Sequence, residues 1–222
     1  MLKTYTLLVF FILCLIFMVF PELDLWIVTL FYHPQDGFVH GSHSLTQFPY
    51  QVMPTITYIY GFGCLFLIGY QAYRRKRIIT SPAFYLLVAV LVGPGLLVNY
   101  GLKENFGRAR PREIVEFKGS KSFTGPLVMG NQTLQNGSFS SGHAAMGYNL
   151  SALSYVVPVY SNLIFLGGVL FGSLVGFGRV LQGGHFPSDV IFSGFFVLLI
   201  NQVWFLLWRR LCRKRQEKTA VA

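Results

Sequence analysis

The chain has 222 residues, about one domain by length. With 53% hydrophobic and only 12% charged residues it is too apolar for an ordinary soluble domain. The formal net charge of +10 would suit a nucleic-acid binder, but the clusters Arg74-Arg75-Lys76-Arg77 and Arg209-Arg210…Arg213-Lys214-Arg215 each follow directly on an apolar run. Basic clusters so placed mark the cytoplasmic ends of membrane helices, so nucleic acid is set aside.

Spans crossing a ~30 Å hydrocarbon core need ~20 apolar residues each. Six are expected, at about 4–20, 52–73, 82–102, 143–159, 162–181 and 189–208. The first follows Lys3 like a signal sequence, but its end, Val19-Phe20-Pro21-Glu22, lacks the small residues of a cleavage site and reads as a retained span. The segment 21–51 mixes Trp26, Phe31, Tyr32, Phe38, Phe48 and Tyr50 with Glu22, Asp24 and Asp36. That mixture favours the membrane interface, and a helix lying along the outer surface is expected there. The long 103–142 loop is rich in turn formers (Gly119, Gly125, Gly130, Asn131, Asn136, Gly137), and a basic tail occupies about 209–222. Cys14 and Cys64 fall in apolar runs and Cys212 in the tail, which suggests neither a disulfide framework nor a thiolate nucleophile. The expected fold is an all-α polytopic membrane protein of six spans plus an extracytoplasmic interfacial segment. It forms one domain over 1–222 with its core at about 80–208.

With the amino terminus in the cytoplasm, the 74–81 linker and the carboxyl tail are cytoplasmic too. Eleven basic residues then lie inside and seven outside, in keeping with the positive-inside rule. Three polar islands fall on the opposite side: Lys103…Arg110-Pro111, Ser140-Ser141-Gly142-His143, and Arg179…His185…Asp189. Topology alone brings them to one face.

Their residue types suit phosphate-ester hydrolysis without a metal. Lys103 offers a point charge, and Arg110 and Arg179 offer planar forks for phosphate oxygens. Ser141 and Gly142 open the fourth span, where backbone N–H groups at a helix start accept an anion. Singly, Lys103 could be a snorkelling lysine and Arg110 a solvated loop charge. His185 and Asp189 stand four apart, one helical turn. Asp189 is expected to accept from one imidazole nitrogen of His185 and leave the other free to attack phosphorus. His143 is the available proton donor for the leaving group. His33, His40 and His43 read as surface residues.

These residues resemble the motifs of the type 2 phosphatidate phosphatase superfamily, which is related to vanadium-dependent haloperoxidases. Its Lys, six residues, Arg-Pro motif is found as Lys103 to Arg110-Pro111. Its Pro-Ser-Gly-His motif is found as Ser140-Ser141-Gly142-His143, with serine in place of proline. Its Ser-Arg…His…Asp motif is found as Gly178-Arg179 through His185 to Asp189, with glycine in place of serine. The resemblance implies that His185 forms a phosphohistidine and Asp189 orients it. His143 acts as acid and then as base, while Lys103, Arg110, Ser141, Gly142 and Arg179 bind phosphate. It implies no metal and no cofactor. The forms of motifs one and two look like bacterial lipid A phosphatases of the 4′ branch, in the inner membrane with the site facing the periplasm and both termini cytoplasmic. The 1-phosphatases, and phosphatases of undecaprenyl diphosphate, phosphatidylglycerol phosphate or phosphatidate, remain alternatives. So does a lipid-binding or transport protein without chemistry, although transporters place polar groups near the midplane rather than at span ends. Arg108, Arg112, Lys118 and Lys121 would suit a polyanionic glycolipid, or are ordinary loop charges.

Overall fold

The computed structural model describes residues 1–130 and 137–220. Asn131 and Asn136 lie outside the described residues. The helices are α1 Leu2–Val19, α2 Glu22–Thr29, α3 Ser44–Tyr73, α4 Pro82–Lys103, α5 Gly142–Asn149, α6 Ser161–Leu181 and α7 Pro187–Ala220. No strand occurs among the described residues, and the fold is an all-α polytopic membrane protein.

Five helices, α1, α3, α4, α6 and α7, are long and apolar enough to cross a membrane. The expected fourth span is the exception. It is α5, prolonged by a 3-10 stretch Leu150–Tyr155, and together they reach roughly 24 Å, short of a ~30 Å core. α5 is instead the hub of the bundle. Ala144, Ala145, Met146, Gly147, Tyr148 and Asn149 are all buried, and α3, α4, α6 and α7 pack around it. Small residues permit this approach: a Cβ at Gly147 would lie 2.7 Å from the Gly172 Cα, and one at Gly168 would lie 2.4 Å from the Ser151 nitrogen. α1 and α3 line the outside, with Leu8, Ile12, Phe62 and Phe66 exposed as lipid-facing residues must be.

Local chemistry sets the helix ends that matter. Ser81 caps α4 by accepting the Phe84 N–H at 3.2 Å, with Pro82 at the first helical position. Pro94 then interrupts the ladder, since it lacks an N–H, and α4 continues as a wider π-helix over Leu91–Lys103. That stretch delivers Lys103 to the end of the helix. α7 runs on through the basic residues to Ala220, so the expected tail is a helical extension.

The 21–51 segment also differs from expectation. It contains α2, a 3-10 turn Val39–Ser42 and the first turns of α3, which begins eight residues before the expected span. Trp26 of α2 and Leu30 just beyond it are exposed as an interfacial helix would have them, but Asp24 is fully buried.

Candidate active site

Backbone hydrogen bonds tie the three islands together at one end of the bundle. Gly137 N–H donates to the Lys103 carbonyl at 3.1 Å and Ser138 N–H to the Arg108 carbonyl at 2.8 Å, which joins islands one and two. Ser141 N–H donates to the Asp189 carbonyl at 3.3 Å, and Ser193 Oγ donates to the carbonyls of Ser141 and Asp189 at 3.0 and 2.7 Å, which joins two and three. Arg112 N–H donates to the Gly183 carbonyl at 3.1 Å, closing the ring from one to three. The ends of α4 and α6 and the starts of α5 and α7 therefore meet.

His185 is 1% exposed. Its Nδ1 lies 2.8 Å from the Ser138 carbonyl oxygen, which can only accept, so Nδ1 carries the proton and Nε2 keeps its lone pair. This corrects the expectation that Asp189 accepts directly from the ring. Asp189 Oδ2 stands 3.6 Å from Nδ1, in ion-pair range but beyond a hydrogen bond. The reason is that the carboxylate is already engaged. It takes Arg108 Nη1 at 2.5 Å, the Ser138 hydroxyl, and the Phe186 N–H at 2.7 Å. The last of these caps the start of α7, so Asp189 is both a helix cap and the ring's counter-charge. Burial, followed by the opposing influence of Asp189, leaves the His185 pKa pushed down to about 4.

Arg108 is a second correction. It is no surface charge for a glycolipid: it is 0% exposed, bound to Asp189 on one side and to Asp24 Oδ2 at 2.7 Å on the other. Its Nη1 also donates to Ser188 Oγ at 2.9 Å and its Nε to the Thr124 carbonyl at 2.8 Å, and its plane stacks on Phe186. Asp24 in turn accepts the Ser188 N–H at 2.9 Å and its hydroxyl. Of the other three loop charges, Lys121 pairs with Glu113 at 2.9 Å, Lys118 donates to the Pro34 carbonyl, and Arg112 is exposed.

His143 opens α5 beside Tyr50, ring centroids 4.6 Å apart. Burial, reinforced by Arg179, His185, Lys103 and Arg110, pushes its pKa down to about 3. A bound phosphate would oppose those cations and raise it. Arg179 stacks on Tyr50 at 4.4 Å and donates to Gln182 Oε1, which is itself anchored to the Thr46 carbonyl at 3.2 Å. The Arg179 Nε and the hydroxyls of Ser140 and Ser141 are buried without a protein partner. Buried donors of this kind call for a ligand or water. Gly184 makes room for the guanidinium, since a Cβ there would lie 2.6 Å from Nη2.

An apolar groove of about 480 Å³ ends on Lys103, Gly142 and His143. It runs between α3 and α4 past Met53, Thr57, Phe62 and Leu65. The expected residues Lys103, Arg110, Ser141, Gly142, His143, Arg179, His185 and Asp189 are thus brought together. Sequence reasoning missed Asp24, Arg108, Ser138, Ser188, Tyr50 and Asn99. A usable signal existed for Asp24, an acid in an apolar helix, which is costly unless partnered. Among the described residues no group of three or more His, Cys, Asp or Glu could hold a metal ion.

Gly142 gives a direct test. A Cβ there would stand 2.3 Å from Asn99 Oδ1, whose amide is held by the Pro94 carbonyl at 2.8 Å. Gly142→Ala should displace the start of α5 and lower kcat about 100-fold. Adding Asn99→Ala should restore part of it, as steady-state rates of the single and double variants would show.

A family model described as the PAP2 superfamily matches residues 82–213. The chain is 34% identical over 204 residues to a lipid A 4′-phosphatase of Francisella tularensis subsp. novicida (strain U112), covering 87% of this chain and 90% of that protein. It is 34% identical over 153 residues to a lipid A 1-phosphatase of Rhizobium etli, 63% of this chain and 62% of the relative. It is 36% identical over 105 residues to a lipid A 4′-phosphatase of the same organism, 47% of this chain and 41% of that protein. No solved structure matches.

Proposed function

Since the chain belongs to the PAP2 superfamily and is a membrane-embedded phosphoric monoester hydrolase, we propose that it removes the 4′-phosphate of lipid A at the periplasmic face of the bacterial inner membrane. The observation that carries this reading is the apolar groove that terminates on Lys103, Gly142 and His143. An acyl chain lying in the groove would leave a phosphate beside Lys103 and His143. The relative matched over most of both chains supports the 4′ position. The Rhizobium etli 1-phosphatase favours the other phosphate as a second reading.

In the proposed chemistry Nε2 of His185 attacks phosphorus with its lone pair. The ester P–O bond breaks, and the sugar alkoxide takes the proton of cationic His143. This leaves an imidazolium-like phosphohistidine facing Asp189, and a neutral His143. His143 then takes a proton from water, the hydroxide oxygen attacks phosphorus, the P–N bond breaks and inorganic phosphate leaves. Both histidines are then restored. Lys103, Arg110, Arg179, the Ser141 hydroxyl and the N–H groups opening α5 stabilise the equatorial oxygens.

Mass spectrometry of lipid A from bacteria with and without the chain should show loss of one phosphate, and fragmentation should assign it to the 4′ carbon. Unchanged phosphate content would overturn the substrate, and loss from the 1 carbon would select the second reading.

A further inference from the structure

The catalytic motifs account for Asp189 but not for the guanidinium that holds it, nor for the acid behind that guanidinium. Asp24 lies on α2, 165 residues before Asp189 in the chain and outside the segment matched by the family model. It is fully buried, as are Arg108, Ser188 and Asp189. An unpaired carboxylate is expensive in such a place, and burial indeed pushes the Asp24 pKa up, against the pull of Arg108. Every oxygen is nevertheless engaged. Oδ1 accepts the Ser188 N–H, and Oδ2 accepts Arg108 Nη2 and the Ser188 hydroxyl.

We propose that Asp24 is a positioning residue for the nucleophile, acting through Arg108: it divides one guanidinium between two carboxylates, so that the Asp189 charge stays available to the His185 ring. The inference rests on His185 being the nucleophile.

The charges explain why a second acid is needed. Asp189 alone against Arg108, at 2.5 Å, would form a neutral pair with little field left for the imidazole. Two carboxylates around one guanidinium leave the set at −1, next to a ring that becomes cationic as Nε2 bonds to phosphorus. The geometry agrees. Asp24 holds Nη2, Asp189 holds Nη1, and Ser188 bridges both halves, donating its hydroxyl proton to Asp24 and accepting from Nη1. Arg108 is also fixed at Nε by Thr124 and rests against the paired rings of Phe186 and Phe123, which opposes a swing wholly towards Asp189. Around His185, Arg179 and Arg110 are cations, His143 of α5 stands close by, and Asp189 is the acid that acts on the ring among the described residues; Asp24 reaches it through Arg108 and Asp189.

The test is Asp24→Asn in purified full-length protein, assayed for inorganic phosphate release from lipid A and, separately, from phosphatidate, both in detergent micelles. If wild-type protein hydrolyses only phosphatidate, the lipid A reading fails while this one is still measured on phosphatidate. The expected result is a kcat about tenfold lower or less, the size seen when a partner orienting an active-site group is removed, with KM within about twofold. The acid limb of the kcat profile, read from pH 3 to 8, should also move to lower pH, because Arg108, no longer shared, then offsets more of the Asp189 charge that favours protonated His185. A merely structural role would lower the yield of folded protein without moving that limb. A kcat within about twofold of wild type, or a lower kcat with the limb unmoved, overturns the proposal. Should Asp24→Asn fail to fold, Ser188→Ala keeps every charge and removes the bridging hydroxyl. It should lower kcat several-fold at constant KM, and an unchanged kcat overturns the proposal.

Discussion

Replacing His185 by glutamine should lower phosphate release on the order of 10⁴-fold or more, the scale on which loss of a covalent nucleophile is felt. The expectation follows from the tautomer. Nδ1 is committed as a donor to the Ser138 carbonyl, so the lone pair on Nε2 is the one the ring can offer. Glutamine fills much of the same space and can donate to the same carbonyl, but its amide has no comparable nucleophile. The side chain is almost wholly enclosed, so folding is monitored alongside by elution profile and thermal melting in detergent. Turnover retained within tenfold would remove the phosphohistidine from the scheme and leave attack by water as the remaining route. Abolished release with retained lipid binding would also dispose of the binding or transport alternative.

The largest loss of stability should come from Arg108→Ala. The substitution leaves Asp24 and Asp189 facing each other in a dry pocket with no cation between them. Breaking a buried ion pair from one side typically costs about 3–5 kcal/mol, and here two carboxylates lose the same partner. The cost is lowered if one of them takes up a proton, which predicts that the variant recovers stability as pH falls while the wild type does not. Arg108→Lys should rescue only in part, because an ammonium cannot span Nη1 and Nη2 positions that serve different acids. Thermal inactivation half-lives in detergent, measured for the three proteins at pH 5 and pH 8, check both statements. Equal half-lives for Arg108→Ala and the wild type would show that the pocket is wetter than its burial indicates.

The membrane class, five of the six expected apolar runs and the meeting of three polar islands were legible because they rest on long-range regularities: apolar run length and polar residues at helix ends. The placement of the islands was legible because each lies next to a helix end, where a short motif already has a geometry. Arg108 was not. Two residues from Arg110 in a loop, it looks like any solvated charge, and only the folded loop reveals that one arginine turns inwards to Asp24 and Asp189 while the other stays near Lys103 and His143. Asp24 was misjudged for a related reason. On an eight-residue helix its aromatic neighbours indicate the interface, while the buried stripe Asp24 and Val28 appears only once α2 is packed against α7. The length of α5 was also hidden, since apolar composition does not distinguish a helix that faces lipid from one surrounded by other helices.

The groove between α3 and α4 is bordered by Tyr58, Phe62, Leu65 and Leu91, all well exposed on the lipid-facing surface. Its side is therefore open to the hydrocarbon phase. A guest enters by sliding within the leaflet, so the concentration that governs saturation is two-dimensional. Diluting the substrate with inert lipid or detergent should slow the reaction even when its amount per litre is constant, and adding more buffer should not.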